Sequence, residues 1–217
     1  MYIVIAGLSD IGRNLAELLV KEGNQVMVID RDPARCAAIA EGSDIMVITG
    51  DAGQKSTLEE ARVRSAQAFV AAVGDDSENL MLCMMAKELG VKTVISVVDE
   101  AEHAETFRQA GINLQVNPAM VAARHIYRLI SQPYVKGFLS FEGADLFEIE
   151  IEEGMSCVGK SVAELGIPNG VKVFGIQKGK YLDESKQIQP KDWLILIATR
   201  ESVRRGIEFM NRWFVKG

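Results

Sequence analysis

The sequence predicts an α/β fold: a doubly wound parallel sheet followed by a second, smaller α+β domain. Three observations carry that expectation. Apolar, β-branched runs alternate with segments whose apolar residues recur at helical spacing, as far as residue 117. The first thirty residues follow the order strand, glycine turn, helix, strand, terminal acid. After Pro133 the pattern changes to a strict alternation of apolar and acidic residues.

The opening stretch is the most informative. Tyr2-Ile3-Val4-Ile5-Ala6 reads as a buried strand that runs into Gly7-Leu8-Ser9-Asp10-Ile11-Gly12. Ile11, Leu15, Leu18 and Leu19 then mark a helix that Gly23 stops, and Val26 to Ile29 form a second strand ending on Asp30. In such a turn Gly7 permits the tight exit from the strand, and Gly12 allows the helix to pack close to the sheet. The N–H groups at the helix start, around Ser9, Asp10 and Ile11, face a pyrophosphate. Asp30 lies 18 residues past Gly12, where an acid hydrogen-bonds a ribose hydroxyl and repels a 2′-phosphate. NAD or an adenine nucleotide is therefore favoured over NADP. Ser9 stands where the fingerprint has its middle glycine; its hydroxymethyl group either crowds a pyrophosphate or donates a hydrogen bond to it.

The remaining elements follow in order. Asp32 is placed as an N-cap and Pro33 in the first turn of a helix reaching about Ala40. Arg31 is positioned to stack on an adenine, pair with phosphate, or simply be solvated. Ile45 to Ile48 is the third strand, and Asp51 and Ala52 after it border the adenosine side of the crevice. Ser56 with Glu59 reads as a capping box opening a short helix. Ala68 to Val73 is the fourth strand, leading through Gly74 into a helix from about Glu78 that includes Asn79; Val73, Gly74 and Asn79 close the list of binding candidates. Asp75, Asp76 and Glu78 cap that helix or form a divalent-cation or ligand-edge site. A strand at 94–98, a helix at 101–110, a strand at 114–116 and an amphipathic helix at 119–131 complete the first domain. That last helix has an apolar stripe and no sheet strand after it, so it is a candidate for pairing with a partner subunit.

The boundary is expected at 132–140, giving a first domain of 1–132 and a second of 140–217. The second carries strands at 146–152, 171–177 and 193–198, a short helix at 161–165 and a last helix at 201–213. The row Glu148, Glu150, Glu152 is read as a solvated strand face, with calcium binding as the alternative.

A net charge of −6 over 217 residues argues against a nucleic-acid or anionic-membrane surface as the main partner. No apolar run approaches a membrane span, and the first strand begins at once, so the chain is expected to be cytoplasmic. Cys36, Cys83 and Cys157 are scattered and read as reduced structural thiols, with no metal site.

Gly7 to Gly12 with Asp30, Gly50-Asp51-Ala52, Gly74 to Asn79, and Gly111 to Asn117-Pro118 together resemble the KTN (RCK) regulatory domains. Gly159-Lys160-Ser161 with Leu165, followed by Pro190-Lys191-Asp192-Trp193-Leu194, resembles the C-terminal RCK domain. The resemblance covers nearly the whole chain. It implies a Rossmann-like, non-catalytic, TrkA/KtrA-like regulatory subunit of a potassium uptake system or channel, in which NAD(H), ATP, ADP or AMP binds the first domain. It also implies a homo-oligomer, a dimer building an octameric ring, docked peripherally on a membrane potassium transporter at the inner face, with 119–131 as the dimer-crossover helix. Val97 stands where many members carry an arginine. The alternatives are an NAD-dependent oxidoreductase and a sensor for another cation transporter. The first needs a proton donor beside the nicotinamide, and neither His103 nor His125 falls at a strand's carboxyl end.

Overall fold

The computed structural model describes residues 1–141, 143–177, 180–183 and 185–215. It divides the chain into two compact units, Met1–Ala123 and Arg124–Gly217.

In the first unit β1 (Tyr2–Ala6), α1 (Asp10–Lys21), β2 (Gln25–Asp30), α2 (Pro33–Ala40) and β3 (Met46–Thr49) form one half of a doubly wound sheet. The other half is α3 (Lys55–Glu60), β4 (Ala68–Ala71), α4 (Asp76–Glu88), β5 (Thr93–Val97), α5 (Ala104–Gln109) and β6 (Leu114–Val116). The six strands are parallel in the order β3-β2-β1-β4-β5-β6. A parallel sheet is covered on both faces, which is why its strands read as unbroken apolar runs. Ile3, Ile5, Val26 and Val28 pack with Ala16, Cys36 and Ile39 on one face; Val4, Ile29, Phe69 and Ala71 pack with Leu58, Leu82 and Phe107 on the other. The order reverses between β1 and β4, so their carboxyl ends diverge and open a crevice.

Local chemistry sets the element ends. Asp32 caps α2 by accepting the Ala34 N–H at 2.8 Å, ahead of Pro33 in the first turn. Ser56, expected as a cap, instead lies inside α3, with Gln54 at the N-cap and no side-chain cap bond. Asp51 turns the chain first, accepting the Gly53 N–H on its side chain and the Gln54 N–H on its carbonyl, so the helix starts two residues earlier. The fourth strand also stops at Ala71, short of the expected Val73, because the Asn79 side chain takes both the N–H and the carbonyl of Val73.

α6 (Pro118–Ser131) is capped by Asn117, whose Oδ1 accepts the Met120 N–H at 2.7 Å, and it holds no buried residue. The unit division falls inside this helix, and 132–140, expected as a connector, carries a strand, β7 (Val135–Ser140). With β8 (Ala144–Glu150), β9 (Val171–Gln177), β10 (Lys180–Leu182) and β11 (Trp193–Thr199) it makes an antiparallel sheet in the order β10-β9-β11-β8-β7. One face, with Phe147, Ile149, Leu194 and Leu196, is covered by Phe209, Met210 and Trp213 of α7 (Val203–Trp213). Ser161 and Glu164 form a reciprocal capping box on the short turn between β8 and β9.

Candidate functional site

A cleft of about 600 Å³ lies at the carboxyl ends of β1, β2 and β4. Its floor is the β1–α1 turn. Gly7 has φ +102°, and a Cβ there would lie 2.6 Å from the Ala72 carbonyl oxygen; a Cβ on Gly12 would lie 2.1 Å from the Gly7 carbonyl oxygen. Both positions therefore require glycine, and the contact at Gly12 brings α1 hard against the end of β1.

Ser9 has φ −59° and ψ 169°, backbone values any residue adopts, so the missing middle glycine costs the turn no strain. It serves as the N-cap of α1, its Oγ accepting the Gly12 N–H at 3.3 Å. Gly7 N–H is bonded to Ile29, Leu8 N–H to Asp30 and Arg13 N–H to the Ser9 carbonyl. The N–H groups of Ser9, Asp10 and Ile11 are left without a protein acceptor among the described residues, a row of donors at the positive end of α1.

Asp30 ends β2, half-buried at the rim. Its Oδ2 accepts the Leu8 N–H at 2.5 Å and its Oδ1 the Asp32 N–H at 2.8 Å, which ties the acid to the glycine turn and leaves each oxygen a further lone pair. Beside it Arg31 reaches across to two carboxylates. Its Nη2 lies 2.8 Å from Asp51 Oδ1 and 2.8 Å from Glu78 Oε1. The bonded Arg31 guanidinium and, after it, the Gly53 N–H hold the Asp51 carboxyl below the usual range.

Of the residues expected to bind a ligand, Gly7, Ser9, Asp10, Asp30, Arg31, Ala52, Val73 and Gly74 line the cleft. Ile11, Gly12, Asp51 and Asn79 are not part of that lining. Gly12 and Asp51 shape the wall as described. Asn79 is fully buried, and its amide joins the ends of two strands through Val73 and the Val97 carbonyl. Arg13 and Arg35 also line the cleft and were missed. Each sits within one turn of a helix N-terminus, where acids are the ordinary choice; an arginine there was the available signal. Of the three acids given two readings, Asp75 caps α4 and Glu78 lines the cleft. Asp76 faces elsewhere, accepting the N–H groups of Asp99 and Glu100 and the His103 ring at 2.8 Å. Burial pushes the Asp76 carboxyl up, but those three partners outweigh it and hold the group below its ordinary value.

Cys36, Cys83 and Cys157 are buried and unpaired, and burial pushes the Cys83 and Cys157 thiols up to about 11. Among the described residues no three His, Cys, Asp or Glu side chains are grouped to hold a metal ion, and no helix is long and apolar enough to cross a membrane.

The parallel sheet, the glycine turn and the pinned acid beside the switch point define a domain of the doubly wound, Rossmann type. The chain belongs to the TrkA-N domain family, whose model matches residues 3–118. A Trk system potassium uptake protein TrkA homolog of Methanothermobacter thermautotrophicus is 35% identical over 167 residues, 76% of this chain and 77% of that protein. Its counterpart in Pyrococcus horikoshii is 29% identical over 222 residues, 96% of each. In fold the chain is similar to the GsuK channel bound to NAD, with a TM-score of 0.67 at 21% identity; the match takes in 100% of this chain and 40% of the channel chain.

Proposed function

We propose that the chain is a nucleotide-sensing, non-catalytic regulatory subunit of a potassium uptake system, binding NAD(H) or an adenine nucleotide in the cleft of its first unit. The observation that carries this reading is the Asp30 carboxylate, held by Leu8 and Asp32 N–H groups beside the free donors of the Gly7–Gly12 turn. A ribose diol bonded to Asp30 brings its attached phosphate toward Ser9, Asp10 and Ile11, where N–H groups and the α1 dipole favour negative charge. The potassium role is supported by the names of the two uptake-protein relatives, which match most of their length.

Two features support a regulator over an oxidoreductase. The cleft is lined by acids, arginines and small or aliphatic residues, and no histidine, lysine, cysteine or tyrosine is among the described residues that line it. His103, the histidine of the first unit, is engaged by Asp76. The exposed side chains of Met120, Val121, Ile126, Tyr127, Leu129 and Ile130 on α6 support association with a second copy, the first step towards a ring docked on the inner face of a membrane transporter. A nucleotide shifts such an assembly between states by its difference in affinity for them.

Thermal melting of the purified chain against NAD, NADH, ATP, ADP and AMP, repeated with Asp30→Ala, tests the reading. A ligand at a hundred times its Kd adds about 2.7 kcal/mol to the native state. At least one nucleotide should raise the Tm of the native chain and lose its effect in the variant. If none does so at saturating concentration, the proposal fails.

A further inference from the structure

We infer that Arg31 is the platform for the base of the bound nucleotide and not a ligand of its phosphates. This inference rests on the nucleotide reading and deepens it. Two carboxylates hold the guanidinium: Nη2 donates to Asp51 Oδ1 at 2.8 Å and pairs with Glu78 Oε1 at 2.8 Å, and Nη1 donates to Glu78 Oε2 at 3.4 Å. Asp51 is itself anchored by the Gly53 N–H and Glu78 projects from the first turn of α4, so the guanidinium is held between a loop and a helix before a ligand arrives. The Arg31 side chain is nevertheless 58% exposed, and both Arg31 and Glu78 line the cleft.

Two anions on one cation leave this corner with a net negative charge, a poor place for a phosphate. The groups suited to phosphate are the free N–H groups at the start of α1. What a pinned, charge-compensated guanidinium still offers is its flat face, which stacks on heteroaromatic rings. Arg31 also follows Asp30 directly, so a ribose held by Asp30 places its base beside that face. Glu78 on the rim accepts hydrogen bonds, which suits a base carrying an exocyclic amine, such as adenine.

Arg31→Lys separates the roles, because it keeps the charge and removes the plane. Binding of AMP, ADP and ATP is measured by calorimetry on the native chain and the variant, at about 0.05 M and about 0.5 M salt. A base platform predicts that the variant binds all three nucleotides about fivefold to tenfold more weakly, by the same factor at both salts. Native-like affinity in the variant, or a loss that grows from AMP to ATP and fades with salt, overturns the assignment while leaving the nucleotide reading intact. If neither these three nor NAD or NADH binds the native chain, both readings fall.

Discussion

Gly12→Ala tests the close approach on which the cleft depends. The added Cβ would lie 2.1 Å from the Gly7 carbonyl oxygen, whereas ordinary contact begins at 3.4 Å, so the start of α1 must retreat by about 1.3 Å. The opposing atom is backbone and cannot swing aside, which puts the cost near the upper end for overpacking, about 3 kcal/mol. Alanine in a helix returns at most about 1 kcal/mol over glycine. The net loss is about 2 kcal/mol, which for a unit of this size lowers Tm by about 8 °C. The same retreat displaces the Ser9, Asp10 and Ile11 donors, so nucleotide stabilisation should vanish as well. Differential scanning calorimetry with and without NAD checks both effects. Gly74→Ala is the control, because a Cβ there meets nothing within 4 Å, and its unliganded Tm should match the native chain. A Gly12→Ala melt within about 2 °C of the native value would refute the reasoning.

Asn79→Ala should lower stability by about 3 kcal/mol in urea titrations, because at a fully buried position it strips the side-chain partner from the Val73 N–H and carbonyl and one of two donors from the Val97 carbonyl, which keeps the Ser96 hydroxyl; a loss under about 1 kcal/mol contradicts that role. The Asp76–His103 pair makes stability depend on pH from both sides. Asp76 raises the His103 pKa, with the neighbouring Glu100 and Glu102 adding to the effect, so the ring's contribution is complete below its ordinary value of 6.5 and is lost as pH rises through the raised value. Asp76 is lowered, so its contribution holds above its ordinary 3.8 and is lost as pH falls through the lowered value. The urea midpoint of His103→Ala should therefore trail the native chain by more at about pH 5 than at about pH 8.5, and an equal gap would show that the ion pair adds nothing.

The first unit was legible because its physics is local. A strand buried on both faces must be apolar throughout, as Ile3 to Ala6 are, and Asp32 before Pro33 fixes a helix start with little help from elsewhere. The misreadings arose where tertiary contacts overrule such signals. Ser56 and Glu59 have the spacing of a capping box, but the Asp51 turn had already set the start of α3. β7 is an edge strand following Pro133 and interrupted by Gly137, where its register with β8 shifts, so its sequence reads as a connector. In the cleft, the glycines and Asp30 could be placed from spacing, since covalent geometry dictates them. The grip of Asp51 and Glu78 on Arg31 joins residues 20 and 47 positions away and emerges only when two loops meet the first turn of α4.

The first turn of α4 holds Asp76, Glu78 and Asn79 within four residues, aimed respectively at the Asp99–His103 corner, at Arg31 and at the strand ends. Asn117 completes the corner by donating to the Asp99 carbonyl. The backbone amides of Val73, Asp99 and Glu100 lie outside regular strands and helices, yet each donates to a side chain that is at least nine-tenths buried. Such amides exchange with solvent only when the buried partner is itself released. In a deuterium-exchange map the Val73 edge of the cleft and the turn at Asp99 and Glu100 should therefore share the slow exchange of the sheet beside them, so that loosening either means opening the core.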